Sequence, residues 1–257
     1  MSELVKVSEA GDDRVGDVVF VHGLGGNPRD YWMADPSKPG TFWPEWIAKD
    51  FPNLGVWSLG YDAAKFAWQG TAMPLVDRAT HALALLDADE IGAKPIVFIT
   101  HSMGGLLVKQ MIRNGLDFGD VRWKAIADAT RGICFISTPH TGADLANYVK
   151  FLTRFLATVA VKDLEANDPR LLELNRWYRN HAFTRFKTQA YCEKKVTGWK
   201  GLGVIVVDDR SADPGLPGVV PVPLDEDHLS ICKPLSRDAL LYKRVRRLVK
   251  ECLINPR

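Results

Sequence analysis

The 257-residue chain predicts an α/β fold, a mainly parallel sheet flanked by helices. Three observations carry this. Short β-prone runs (Asp17 to His22, Asn53 to Tyr61, Ile96 to Thr100, Arg131 to Ser137) alternate with segments of helical periodicity. These runs are nearly continuous in apolar residues, as strands covered on both faces are. And the run Ile96 to Thr100 breaks at His101-Ser102-Met103-Gly104-Gly105 into an apolar-periodic segment, giving strand, abrupt turn and helix.

Composition sets the frame. Apolar residues make up 46% and charged residues 25%, the balance of a globular protein, and the length suits one domain over 1–257, or one with an inserted cap. A net charge of +2 makes no case for nucleic acid. Cys134, Cys192, Cys232 and Cys252 stand far apart, with no CxxC and no metal-like His/Cys spacing. They read as reduced thiols of an intracellular protein, and neither a metal nor another cofactor is called for. The opening Met-Ser-Glu-Leu-Val-Lys lacks an apolar signal core, and no run reaches the roughly 18 apolar residues of a membrane span. Cytoplasm is the expected compartment.

The elements follow in order. Leu4 to Val7 reads as an edge strand and Asp17 to His22 as the first inner one, running into the glycine-rich Gly23-Leu24-Gly25-Gly26-Asn27. No G-x-G-x-x-G and no ribose-binding acid accompany that loop, so it is no dinucleotide fingerprint. Trp43 to Asp50 is a short helix with Pro44 in its first turn, and Asn53 to Tyr61 a strand. Met73 to Asp87 carries Leu75, Ala79, Leu83 and Leu86 on one helical face, and Pro95 opens the strand before Ser102. After the strand Arg131 to Ser137 comes Thr138-Pro139-His140-Thr141-Gly142. The segment 144–182 is apolar on more than one side and longer than a plain crossover, which points to a helical cap. Phe186 to Tyr191 and Gly203 to Val207 read as the last central strands, and Pro234 to Leu253 as the closing helix. That helix has a basic face of Lys243, Arg244, Arg246, Arg247 and Lys250, suited to peripheral membrane contact, although most such faces are simply solvated.

The turn at Ser102 has the form of a nucleophile elbow, which leaves a serine hydroxyl exposed beside a helix N-terminus where free N–H groups favour a negative oxygen. Thr100 stands where the usual pattern has glycine. A serine needs a base to take its proton and a carboxylate to orient that base, in the chain order serine, acid, histidine. Of the histidines after Ser102, His181 falls in the cap region and His140 comes too early for an acid to intervene. His228, on the loop before the closing helix, is the expected base. Asp208, directly after Val204 to Val207, is the expected acid, with Asp209 and Asp213 close enough to compete. Asp144 would be a rarer placement, and Asp227 adjoins the histidine itself. The oxyanion donors would be the backbone N–H groups of Leu24 and Met103.

Four stretches, His22 to Gly26, Ile99 to Leu106, Ser137 to Gly142 and Asp227 to Pro234, together resemble the lipase-like α/β-hydrolases. The branch resembled is the one around the serine-active-site-containing protein and the hydrolase domains at the N-termini of NLR-like signalling ATPases, with GPI inositol-deacylases further off. In that branch threonine is a familiar substitute for the first elbow glycine. The resemblance implies an α/β-hydrolase fold and a serine esterase or lipase acting on a small-molecule or lipid ester, phospholipid included, with Ser102 and His228 on the matching positions. It also implies that the chain could be an effector module fused to or partnered with a signalling ATPase. Acyl transfer or thioester hydrolysis by the same groups, or a catalytically silent module, are the competing readings.

Overall fold

Valine, isoleucine and phenylalanine fill β2 (Gly16–Val21), β4 (Ile96–His101) and β5 (Thr130–Ile136), and nearly every position in them is buried. In the computed structural model, which describes residues 2–61, 73–140, 169–182, 184–198 and 203–255, these strands form the middle of a seven-stranded sheet. Its other strands are β1 (Glu3–Lys6), β3 (Leu54–Gly60), β6 (Lys187–Glu193) and β7 (Val222–Leu224). The spatial order is β1-β3-β2-β4-β5-β6-β7, and only β1 runs antiparallel to its neighbour. This is an α/β-hydrolase fold.

Alternation along each strand sends side chains into two layers. Val19, Val21, Phe98 and Phe135 face α2 (Leu75–Ala88), α3 (Met103–Asp117), α4 (Val121–Ala129) and α5 (Pro169–Ala182). Val18, Phe20, Ile99 and Ile136 face α1 (Trp43–Asp50) and α6 (Leu240–Val249), the latter prolonged by a π turn over Lys250–Ile254. Trp43 Nε1–H donates to the Cys232 carbonyl at 2.9 Å, and Asp50 binds Arg237 and Arg246, tying α1 to the start of α6. Among the described residues no helix is long and apolar enough to cross a membrane.

Three expectations change. α4 has no counterpart in the sequence reading, although Asp120 caps it by accepting the Arg122 and Trp123 N–H groups. The run Gly203 to Val207 is no sheet strand: its one ladder contact is an isolated bridge from Val204 to Thr197, and the last strand is the short β7. Of the expected cap, 144–168 lies outside the described residues. The remainder is α5, whose Leu171, Leu174 and Tyr178 are packed into the core beside α3.

α3 is locked in place at both ends of its first half. A Cβ at Gly104 would clash with the Val21 and His22 carbonyl oxygens, so the helix start lies directly against the end of β2. Two turns on, Lys109 is wholly buried and donates from Nζ to His140 Nδ1 (2.6 Å) and Asn175 Oδ1 (2.7 Å), beneath the rings of Phe135 and Tyr178. Burial, with Arg179 adding to it, pushes the Lys109 amine well below its ordinary value. His140 is pushed down as well, by burial first and the lysine second.

Gly104→Ala should cost about 1–3 kcal/mol of stability, because the backbone on both sides of the added methyl is buried and cannot retreat. A urea unfolding midpoint measures this, with Gly40→Ala as the neutral comparison since a Cβ there meets nothing within 4 Å.

Candidate active site

β4 ends at His101, α3 begins at Met103, and Ser102 alone makes the turn between them. Its backbone sits at φ 54°, ψ −127°, a region L-residues occupy at a cost. Two anchors hold it there: the Ser102 N–H donates to the Ile136 carbonyl (2.9 Å), and its own carbonyl accepts from Gly105 N–H (3.1 Å). Thr100 also fits without the expected glycine. Its hydroxyl donates to the Cys134 carbonyl of β5 at 2.9 Å, so the bulkier residue is buried and satisfied.

The Ser102 hydroxyl makes no cap on α3. It lies 3.1 Å from His228 Nε2, and His228 Nδ1 lies 3.2 Å from Glu193 Oε2. All three residues are at most 2% exposed. A carboxylate can only accept, so Nδ1 carries the ring proton towards Glu193 and Nε2 is left to accept from the serine. Burial raises the Glu193 carboxyl. Electrostatic attraction to the His228 ring and its hydrogen bond, with Ser137 and the Val207 N–H adding to them, outweigh it, and the net shift is below the ordinary value.

Asp208 is therefore not the residue on the histidine; Glu193 is. Asp208 Oδ1 accepts the Ser211 N–H at 2.8 Å and turns its own loop. The other aspartates are likewise engaged elsewhere: Asp209 with Lys194, Asp213 with Gly215 N–H, Asp227 with the Leu229 and Ser230 N–H groups. Asp144 lies outside the described residues. Glu193 is the final residue of β6, and its second oxygen, Oε1, accepts Val206 N–H (2.9 Å) and Val207 N–H (2.7 Å). The apolar run that reads as a strand is a loop wrapped over this carboxylate. The signal that could have found Glu193 was a lone acid closing the strand Phe186 to Tyr191, on the sheet side of His228.

The remaining histidines take supporting places. His22 stacks on Tyr61 at 4.6 Å, bonds the Gly23 carbonyl through Nδ1, and is lowered to about 4 by burial against the raising effect of that bond. Tyr61 donates its hydroxyl to the His22 carbonyl (2.8 Å), which fixes the loop after β2. That loop touches the elbow: a Cβ on Gly23 would stand 2.9 Å from Ser102 Cβ. Leu24 follows Gly23 in that loop, and Met103 follows Ser102 as the first residue of α3. His101 packs its ring 4.8 Å from that of His228 and bonds the Tyr31 hydroxyl (2.5 Å); burial pushes it well below its ordinary value. His181 stacks on Trp177 at the surface.

Fold and site define a class. Residues 18–249 match the alpha/beta hydrolase family, and the chain belongs to it. Among curated relatives it is 33% identical to human protein SERAC1 over 258 residues, covering 92% of this chain and 39% of that protein. The chain thus spans about two-fifths of the length of the relatives it matches. Among solved structures it resembles a carboxylesterase of the thaumarchaeon Nitrososphaera gargenis (TM-score 0.57, 14% identity, 97% of this chain and 96% of that one). It also resembles YbtT, a type II thioesterase of the yersiniabactin pathway (TM-score 0.53, 14% identity, 97% and 99%).

The backbone at position 102 gives a stability test that is separate from chemistry. Ser102→Gly should be more stable than Ser102→Ala by about 1 kcal/mol, since glycine reaches φ 54° without a Cβ penalty. Urea midpoints of the two variants side by side check this.

Proposed function

We propose that the protein is a serine hydrolase that cleaves carboxylic esters, lipid esters in particular, through an acyl-enzyme, with Ser102 as nucleophile, His228 as base and Glu193 as the orienting acid. The observation that carries the reading is the unbroken chain Ser102 Oγ–His228 Nε2 (3.1 Å), His228 Nδ1–Glu193 Oε2 (3.2 Å). Three polar residues at most 2% exposed, joined in that order at the C-terminal edge of a parallel sheet, have no need of one another for packing.

The reaction follows from the proton positions. Ser102 Oγ attacks the ester carbonyl carbon while its proton passes to His228 Nε2. Glu193 favours the resulting imidazolium and keeps Nδ1 protonated throughout. The tetrahedral oxyanion forms against the N–H groups of Leu24 and Met103, where each aligned donor is worth about 2.7–4 kcal/mol. The C–O bond to the alcohol breaks and the alcohol leaves with the proton from Nε2. Water then attacks the acyl-serine, gives its proton to Nε2, and the acid departs as the proton returns to Oγ. The Tyr31 ring beside Gly23 and His101 and the Tyr61 ring stacked on His22 give the loop next to Ser102 an aromatic surround, which suits an apolar acyl group better than a charged or sugar one. The resemblance to lipase-like hydrolases points the same way.

A fluorophosphonate probe should label the wild type and leave Ser102→Ala and His228→Ala unlabelled. Absence of labelling in a folded sample would favour a silent module. A panel of acyl esters, phospholipids and acyl thioesters then sorts the substrate class, and hydrolysis confined to thioesters would overturn the ester reading. Within the panel, Glu193→Gln should lower kcat by about 10³–10⁴-fold, because an amide facing Nδ1 promotes the wrong ring tautomer. Asp208→Asn should stay within about twofold of wild type, and a larger loss there would return the acid role to Asp208.

A further inference from the structure

Among the described residues, the β7 side of β6 is covered over only part of its length. β7 pairs only with Tyr191–Glu193, so among the described residues the first half of β6, Lys187–Ala190, has a strand neighbour on its β5 side alone. The Tyr191 carbonyl faces β5, where it accepts Ser137 N–H, whereas Lys194 N–H faces β7 and bonds the Leu224 carbonyl. By strand alternation Thr188 and Ala190 therefore turn their N–H and C=O groups to the open side.

That edge opens into a groove of about 640 Å³ between β6 and α6. Lys187, Lys243, Arg244 and Arg247 line it, against the single carboxylate Glu251. Glu251 is shared by Lys187 (3.5 Å) and Arg247 (2.8 Å), and Lys243 reaches out to exposed Asp238 (2.9 Å). Arg244 bonds the Tyr191 hydroxyl through Nε and has no carboxylate partner among the described residues. One lysine on an open strand is ordinary protection against edge-to-edge pairing. Three further cations from a second element, all over the same edge, exceed that purpose.

We propose that this groove docks an extended acidic segment of a partner protein, added as a strand beside Thr188 and Ala190 with its carboxylates on Lys187, Lys243, Arg244 and Arg247. Backbone bonds along an open edge supply affinity and the flanking side chains supply selectivity, the usual division in strand addition. A membrane fits less well. The surface is concave, and it lies at the N-terminal end of β6, whereas Ser102 follows the C-terminal end of β4. Docking a bilayer there would turn the ester site away from its lipid. The two functions are independent, because the groove lies at the opposite end of the sheet from Ser102.

The test is fluorescence anisotropy of the full chain with a labelled peptide of about six residues alternating glutamate and valine. Binding should weaken as salt rises, and by about tenfold or more in Lys243→Glu/Arg247→Glu, whose side chains are 58% and 79% exposed, so that folding survives the change. The same peptide with every second amide N-methylated keeps its charges but cannot pair with a strand, and it too should bind about tenfold more weakly or worse. Equal binding of the N-methylated peptide, no binding of either, or binding of phosphatidylserine vesicles in place of the peptide would each overturn the proposal. Esterase activity should be the same in the double variant as in the wild type.

Discussion

The Glu193 carboxylate is the contact on which the C-terminal edge of the sheet depends. Its Oε1 gathers the Val206 and Val207 N–H groups and its Oε2 meets His228, so one side chain binds two loops that are otherwise far apart in sequence. Neighbouring bonds reinforce the arrangement. Lys194 and Lys195 N–H groups reach the Glu226 carbonyl, and His228 N–H donates to the Thr197 hydroxyl, whose backbone bridges to Val204. A buried carboxylate without partners would be costly by several kcal/mol. Here both oxygens are satisfied, and the carboxyl is held below its ordinary value despite its burial.

The elbow is the second constraint, and it depends on smallness where Glu193 depends on charge. Gly104 allows α3 to start against the β2 carbonyls, and Gly105 leaves room for the Thr138 side chain. Those contacts support a serine in an unfavoured backbone region. The glycine-rich loop after β2 completes the enclosure, fixed from outside by the stack of His22 on Tyr61.

Much of this was legible in the residues. β2, β4 and β5 announce themselves because burial on both faces leaves a continuous apolar run, and the break at Ser102 marks the turn. His228 could be placed by its position before the closing helix. Glu193 was masked, for a physical reason: although it closes a strand, it also opens the charged stretch Glu193-Lys194-Lys195, which reads as a solvated turn. The apolar run Val204 to Val207 meanwhile imitates a strand. Composition cannot distinguish N–H groups bound to a neighbouring strand from N–H groups bound to a side chain. α4 was missed because its apolar residues, Val121, Trp123, Ile126 and the alanines, are spread round the helix rather than gathered on one face, and only Ile126 and Ala127 are buried.

Lys109 has a mechanical consequence. Its amine, fixed by acceptors on two different segments, His140 and Asn175, acts as an indexing pin for α3. Rolling that helix about its axis, or sliding it by one residue, would drag a polar head out of an aromatic cage into hydrocarbon. The angular setting of the rod that starts at Met103 is thus dictated some two turns downstream, and the aim of the hydroxyl at its tip is registered against the interior of the molecule rather than against solvent.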